Sequence, residues 1–328
     1  MAQPTELLAD GPDYRITLHH ATRRKPADGS KRVTAPLVIT FGGAPSGLSA
    51  AGFGTGWALA LGWDTIYVAQ RTGTQYQLLS QDAFADAIAP VAAGRDVVCY
   101  GSSLGGYAAL YFGGALDCRI VAAAPMLPAW PPLQRPLVDI VPILHLPLEE
   151  ARRSSRSPVV LYDPMVAADQ KMVGSMVLPA YPNTRFIRLE FSGHTVLQML
   201  ARTKLINKVL PPLLGEDSIV EFTLDTDNSI WHFQKGRHLM HDQPIEARMH
   251  FERSLELEPS RHVASNLLVL LLRGGDKIAA QALIDHVART APPGKGIALA
   301  GLARAKAAGM DVSAFDDPSP KPVQALDS

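Results

Sequence analysis

A chain of 328 residues with 47% hydrophobic content is long enough to bury one sizeable core and to carry a smaller module beside it. Its 31 basic and 31 acidic residues balance, so no overall field draws it to nucleic acid or to an anionic membrane, and Arg23-Arg24-Lys25 and Lys31-Arg32 are too short to form a basic arm. The longest apolar run, 264–272, falls well below the roughly 20 residues of a membrane span.

Residues 1–12 are acidic and lack a basic region followed by an apolar stretch, so they read as a disordered N-terminus and not as a secretory signal. Cys99 and Cys118 show no metal-ligand spacing and read as small core hydrophobes, which fits a cytoplasmic location. Strands are expected at 14–20, 36–41 and 63–70, with a short helix at 53–61. The pattern then alternates: helix 81–93, strand 96–100, helix 104–115, strand 119–124. Such alternation predicts an α/β fold, a mostly parallel sheet flanked by helices, with ligands at the carboxyl ends of the strands. Between 126 and 157 the rhythm breaks at Pro128, Pro131, Pro132, Pro136, Pro142 and Pro147, a density that opposes a long helix. Strands resume at 158–162 and 184–191, and helical periodicity follows from Thr195, so the α/β body is expected over 13–214.

The chemistry concentrates where the strand 96–100 meets its helix, at Gly101-Ser102-Ser103-Leu104-Gly105. This is a G-x-S-x-G match in strand-to-helix context, and it makes Ser103 the candidate nucleophile. Glycines at both flanking positions suit a sharp turn where two backbones approach closely. The helix start leaves N–H groups without partners, so that of Leu104 can face an oxyanion beside Ser103. A glycine-rich turn with serine present only for its geometry is the bland alternative, and Ser102 is the rival serine.

A serine hydroxyl needs a base. Of ten histidines, His194 is favoured, because Ser192-Gly193 place it on a loop between an expected strand and helix. A carboxylate to orient the imidazole is sought after strand 158–162. Asp169 is preferred and Asp163 is kept as its rival; each also has a plain structural role, as a helix cap and in a turn before Pro164.

The order Ser, Asp, His on successive strand ends, with the elbow and the Ser-Gly-His loop, resembles the α/β-hydrolase superfamily. The resemblance implies a serine hydrolase acting on an ester, thioester or other acyl substrate. It also implies an oxyanion hole completed by Gly43 or Ala44, since Gly42-Gly43-Ala44 follows strand 36–41 like the family's HG loop without its leading His. The segment 126–157 then takes the place of a cap, with Trp130 as a substrate contact, or else is an irregular surface segment. Gln75-Tyr76-Gln77 is read as lining the cleft, with Tyr76 and Gln77 as substrate contacts, against a plain exposed loop. The proposed chemistry calls for no metal and no organic cofactor.

Past Pro211-Pro212 the period changes. Trp231, Ala247, Phe251, Ser254 and Pro259 fall at intervals resembling a tetratricopeptide repeat, and a weaker copy spans 262–293 around Gly274-Gly275. A small all-α, TPR-like module is therefore expected over 225–310, with a disordered tail at 311–328. Segment 229–310 is the candidate surface for a protein partner. The competing function is accordingly a catalytically inactive scaffold that binds a partner through these helices.

Overall fold

The computed structural model describes residues 5–22, 35–136, 140–291 and 296–315, and divides into two compact units, 1–224 and 225–328. The first unit holds one eight-stranded sheet: β1 (Thr5–Asp10), β2 (Tyr14–His19), β3 (Leu37–Phe41), β4 (Thr65–Gln70), β5 (Val97–Ser102), β6 (Arg119–Ala123), β7 (Val159–Tyr162) and β8 (Arg185–Arg188). Their order across the sheet is β1-β2-β4-β3-β5-β6-β7-β8. The β1/β2 and β2/β4 pairs are antiparallel and all others are parallel. This is the α/β-hydrolase-like architecture the sequence led us to expect.

The central strands are buried on both faces, and their period of two divides the residues between two cores. Leu37, Ile39, Phe41, Cys99, Ile120, Ala122 and Val160 face one side, where Phe84, Leu110 and Phe112 meet them. Val38, Val98, Tyr100, Val121, Val159 and Leu161 face the other, against Ala58, Val196, Leu200, Leu210 and Leu214. The helices that supply these layers are α1 (Thr55–Ala60), α2 (Gln81–Ala92), α3 (Leu104–Gly113), α4 (Ala167–Met172), which runs through a π-helical stretch Val173–Val177 into α5 (Leu178–Ala180), α6 (Val196–Arg202) and α7 (Ile206–Glu216). Buried Arg119 fastens the last of these, donating to the carbonyls of Leu213 and Leu214 while its guanidinium pairs with Asp96.

Register places the functional loops at one rim. Phe41 pairs with Gly101, Ser102 with Ala123, and Tyr162 with Arg188, so Gly42, Ser103, Ala124 and Asp163 all leave the sheet at its carboxyl end.

The segment after β6 is seated by buried side chains and not by a ladder. Its Ala129 N–H donates to Gln75 Oε1 at 2.9 Å, and its Leu144 and His145 N–H groups donate to Gln77 Oε1 at 3.0 Å each. Met126, Leu127, Ala129, Val141, Leu148 and Ala151 are buried, whereas Ile140, Leu144 and Leu146 are exposed. The expected insertion at 126–157 thus includes three residues, 137–139, outside the described set.

Two boundary expectations change. Residues 1–12 are not simply a disordered terminus, because Thr5–Asp10 adds an antiparallel edge strand to β2. At an edge, one side of the strand meets solvent, which is why its mostly exposed residues carry no legible alternation. At the other end, Val312 is buried and Ser313–Phe315 form a 3-10 turn, so residues 311–315 do not belong to a disordered tail; 316–328 lie outside the described residues.

The second unit contains α8 (Ser229–Leu239), α9 (Pro244–Leu257), α10 (Arg261–Arg273), α11 (Lys277–Thr290) and α12 (Leu299–Ala307). Ser254 Oγ donates to Ser229 O at 2.8 Å, joining the start of α8 to the end of α9 in an antiparallel hairpin. Gly236 admits the Phe251 ring, since a Cβ there would lie 2.8 Å from it. Ala247, Phe251 and Ser254 are buried, while Trp231 is only half-buried. Among the described residues no helix is long and apolar enough to cross a membrane.

Candidate active site

Ser103 stands at φ 55, ψ −121, between the end of β5 and the first residue of α3. A residue with a Cβ enters that region only under strain, and strain of this kind is what a sharp nucleophile turn stores. The backbone around it is over-determined. Ser103 N–H donates to Ala123 O at 2.9 Å, and its own carbonyl accepts from Gly106 at 2.9 Å, Tyr107 at 3.1 Å and Met126 at 2.9 Å. The flanking glycines are sterically required, as a Cβ on Gly101 would lie 2.0 Å from Gly105 O, and one on Gly105 would lie 2.4 Å from Phe41 O. Ser102 stays in the sheet ladder opposite Ala123.

The three residues favoured from the sequence come together. His194 Nε2 lies 2.9 Å from Ser103 Oγ, and His194 Nδ1 lies 2.7 Å from Asp169 Oδ1, although the serine and histidine are 91 positions apart. With Nδ1–H donating to the carboxylate, Nε2 carries the lone pair and accepts from the hydroxyl. Asp169 is buried, and the imidazole is about a third exposed. Among the described residues the second oxygen of Asp169 meets no donor, so the carboxylate is committed to the imidazole. Asp169 sits in the first turn of α4, whose N-cap is Val166, and not at the cap position expected for it.

Asp163 plays a different part. Its carboxylate, fully buried, accepts the N–H of Met165 at 2.8 Å and that of Gly193 at 2.7 Å. Burial raises its pKa above the ordinary carboxylate range, against the pull of these N–H groups, and the charge of Asp169 adds to the rise. It ties its own loop, ahead of Asp169, to the loop that carries His194 and does not itself bond the imidazole.

Leu104 occupies the first position of α3, where an N–H has no intrahelical acceptor. Gly43 is half-buried and Ala44 exposed on the loop after β3. That loop abuts the helix start, since a Cβ on Gly105 would also lie 3.2 Å from Gly42 O.

The expected substrate contacts need correction. Tyr76 and Gln77 are 1% and 4% exposed, with their polar atoms taken up by the glycine loop and by the insertion, so they brace the rim and do not line it. Trp130 alone of the three is half-buried. Gln70 was not singled out from the sequence, yet it donates to Gly43 O at 3.4 Å. Its signal was present: an amide closing a strand, TIYVAQ, that is otherwise almost wholly buried and apolar.

The order and direction of the strands, with these residues at their carboxyl ends, make an α/β-hydrolase-like fold. No protein-family model matches the chain, and no curated protein does. Among solved structures, it is similar to the acylaminoacyl peptidase of Pyrococcus horikoshii, with 8% identity and a TM-score of 0.45 over 68% of this chain and 43% of that one. It is similar also to an α/β serine hydrolase without lid from Xanthomonas campestris, with 15% identity and a TM-score of 0.42 over 67% of this chain and 97% of the other. Esterase 2 of Thermogutta terrifontis shows 15% identity and a TM-score of 0.45, with the same shares, 67% and 97%. The chain thus spans less than half of the peptidase's length and nearly all of the two smaller proteins.

Proposed function

We propose that the chain is a serine hydrolase that acts on an ester, thioester or other acyl substrate through Ser103, His194 and Asp169. The observation that carries this reading is the unbroken relay from Ser103 Oγ to His194 Nε2 at 2.9 Å and from Nδ1 to Asp169 at 2.7 Å, built on a strained turn. Ser103 Oγ attacks the acyl carbonyl as its proton passes to Nε2, and the carbonyl electrons move onto oxygen. The N–H of Leu104, with that of Gly43 or Ala44, stabilises this oxyanion. On collapse the leaving alcohol or thiol takes the proton from the imidazolium. Water then repeats the sequence on the acyl-enzyme, releasing the acid and regenerating the serine. Asp169 holds the ring in the productive tautomer throughout.

A fluorophosphonate probe tests the reading. The native chain is expected to be labelled on Ser103 and Ser103→Ala to remain unlabelled, each variant's fold being checked by circular dichroism. A native chain that resists the probe and hydrolyses no short-chain nitrophenyl ester would refute it.

A further inference from the structure

From the last residue of β4 to α2 the chain buries more polar side chains than any ladder or helix there requires. Gln70, Thr74, Gln75 and Gln77 are each under a tenth exposed, and Tyr76 is 1% exposed. Gln75 and Tyr76 both take left-handed backbone, at φ 52 and φ 62, which residues with a Cβ adopt only when their surroundings hold them there.

What holds them reaches in two directions. Toward the insertion, Gln75 accepts from Ala129 N and Gln77 from Leu144 N and His145 N. Toward the glycine loop, Tyr76 Oη lies 3.1 Å from Gly42 O and 3.1 Å from Val68 O. Burial holds this phenol far above its ordinary range, so it remains a donor. Gln70 bridges the two parts, accepting Tyr76 N at 3.0 Å and donating to Gly43 O at 3.4 Å. Ser46 also donates to Gly43 O, from N at 3.0 Å and from Oγ at 2.7 Å.

These bonds fix the direction of two peptide planes. No cis peptide is present among the described residues, and in a trans peptide the N–H points opposite to the preceding C=O. Drawing Gly42 O toward the buried Tyr76 hydroxyl turns the Gly43 N–H to the opposite side, and drawing Gly43 O toward Ser46 and Gln70 turns the Ala44 N–H away from those two groups. We infer that Tyr76, assisted by Gln70, is a positioning residue that aims the glycine-loop amide at the oxyanion, its hydroxyl being preorganised by a turn clamped on the insertion. This deepens the hydrolase reading and rests on it.

Tyr76→Phe removes the hydroxyl and keeps the ring in place. The readout is kcat/KM for a nitrophenyl oxoester divided by that for its thionoester, because a thiocarbonyl sulfur is larger and accepts hydrogen bonds weakly, so an intact hole discriminates against it. The variant is expected to lose ~10–100-fold in kcat on the oxoester with KM little changed, and to lower the oxo/thiono ratio at least ~5-fold. General loosening would lower both rates and leave the ratio alone. Gln70→Met, which keeps the volume and deletes the amide, is expected to lower the ratio in the same sense and serves should Tyr76→Phe not fold. Native activity with an unchanged ratio in a folded variant overturns the inference while the hydrolase reading stands. An inert native chain overturns both, and is recognised before any variant is measured.

Discussion

The carboxylate of Asp163 accepts the Gly193 N–H at 2.7 Å, one residue before the imidazole that Asp169 holds at 2.7 Å. Two carboxylates thus act on one loop, one through its backbone and one through its side chain, and substitution should separate them. Asp169→Asn offers Nδ1 an N–H and favours the wrong tautomer, so kcat is expected to fall by about 10⁴-fold with little loss of stability. Asp163→Asn sets an amide N–H against a backbone donor, and is expected to destabilise the fold by about 1–3 kcal/mol. Its rate should fall by about 10-fold as the imidazole loses its fixed position. Steady-state kinetics and urea unfolding of both variants check the division; a larger rate loss in Asp163→Asn would reverse it.

The strain at Ser103 predicts a trade between stability and activity. At φ 55, ψ −121 glycine is unstrained and alanine is not, so Ser103→Gly should be more stable than Ser103→Ala by about 1–2 kcal/mol, both being inactive. Chemical denaturation of the pair isolates the backbone contribution. Equal midpoints would show that the turn stores no strain.

Two glycines should respond in opposite senses. Gly105→Ala would bring a Cβ to 2.4 Å from Phe41 O, a backbone atom that cannot swing aside, and should destabilise by about 3 kcal/mol or more. Gly174, in the π-helical stretch between α4 and α5, has open space around a Cβ, so Gly174→Ala should stabilise by about 0.5–1 kcal/mol. Thermal unfolding of the two proteins reads both signs.

His145 links the insertion to pH. Its ring stacks on Tyr111 with centroids 3.9 Å apart, Nε2–H donates to Leu79 O at 3.0 Å, and Nδ1 accepts from Tyr107 Oη at 2.9 Å. Burial lowers its pKa from 6.5 to about 4. Between those values the unfolded chain binds a proton that the folded chain does not, so stability is full above about 6.5 and falls as pH drops toward 4. The loss should reach up to about 3 kcal/mol. Asp163, with a raised pKa, works in the opposite direction, but it is common to the native chain and to His145→Gln. The difference in urea midpoints between these two across that range should therefore narrow on acidification, and a constant difference would contradict the assignment.

The elements that were legible share a cause. The elbow, the His194 loop and the acid loop each announce themselves locally, by glycine spacing or by a polar residue after an apolar run, and the parallel sheet then does the long-range assembly. Asp169 was preferred but Asp163 stayed its rival, because the choice depends on which carboxylate faces a ring and which faces the backbone of a loop 30 positions away. Tyr76 and Gln77 were misread for a related reason. A Gln-Tyr-Gln turn looks hydrophilic, and its partners, the Gly42 carbonyl and the Leu144 and His145 amides, lie 34 to 68 positions off. The edge strand Thr5–Asp10 was missed because half-solvated backbone pairing leaves no hydrophobic signature.

That edge strand bears on how the protein can be handled. Its pairing breaks register between Leu7 and Ala9, and Asp10 ends it in a bidentate pair with Arg15, so it closes the sheet with a kinked, charged border. Trimming the first dozen residues as if they were a dispensable leader would strip this border and lay bare β2, a strand of unbroken register, with a free row of amides. Shortened preparations should then self-associate through sheet margins, at a molecular boundary remote from any chemistry at Ser103.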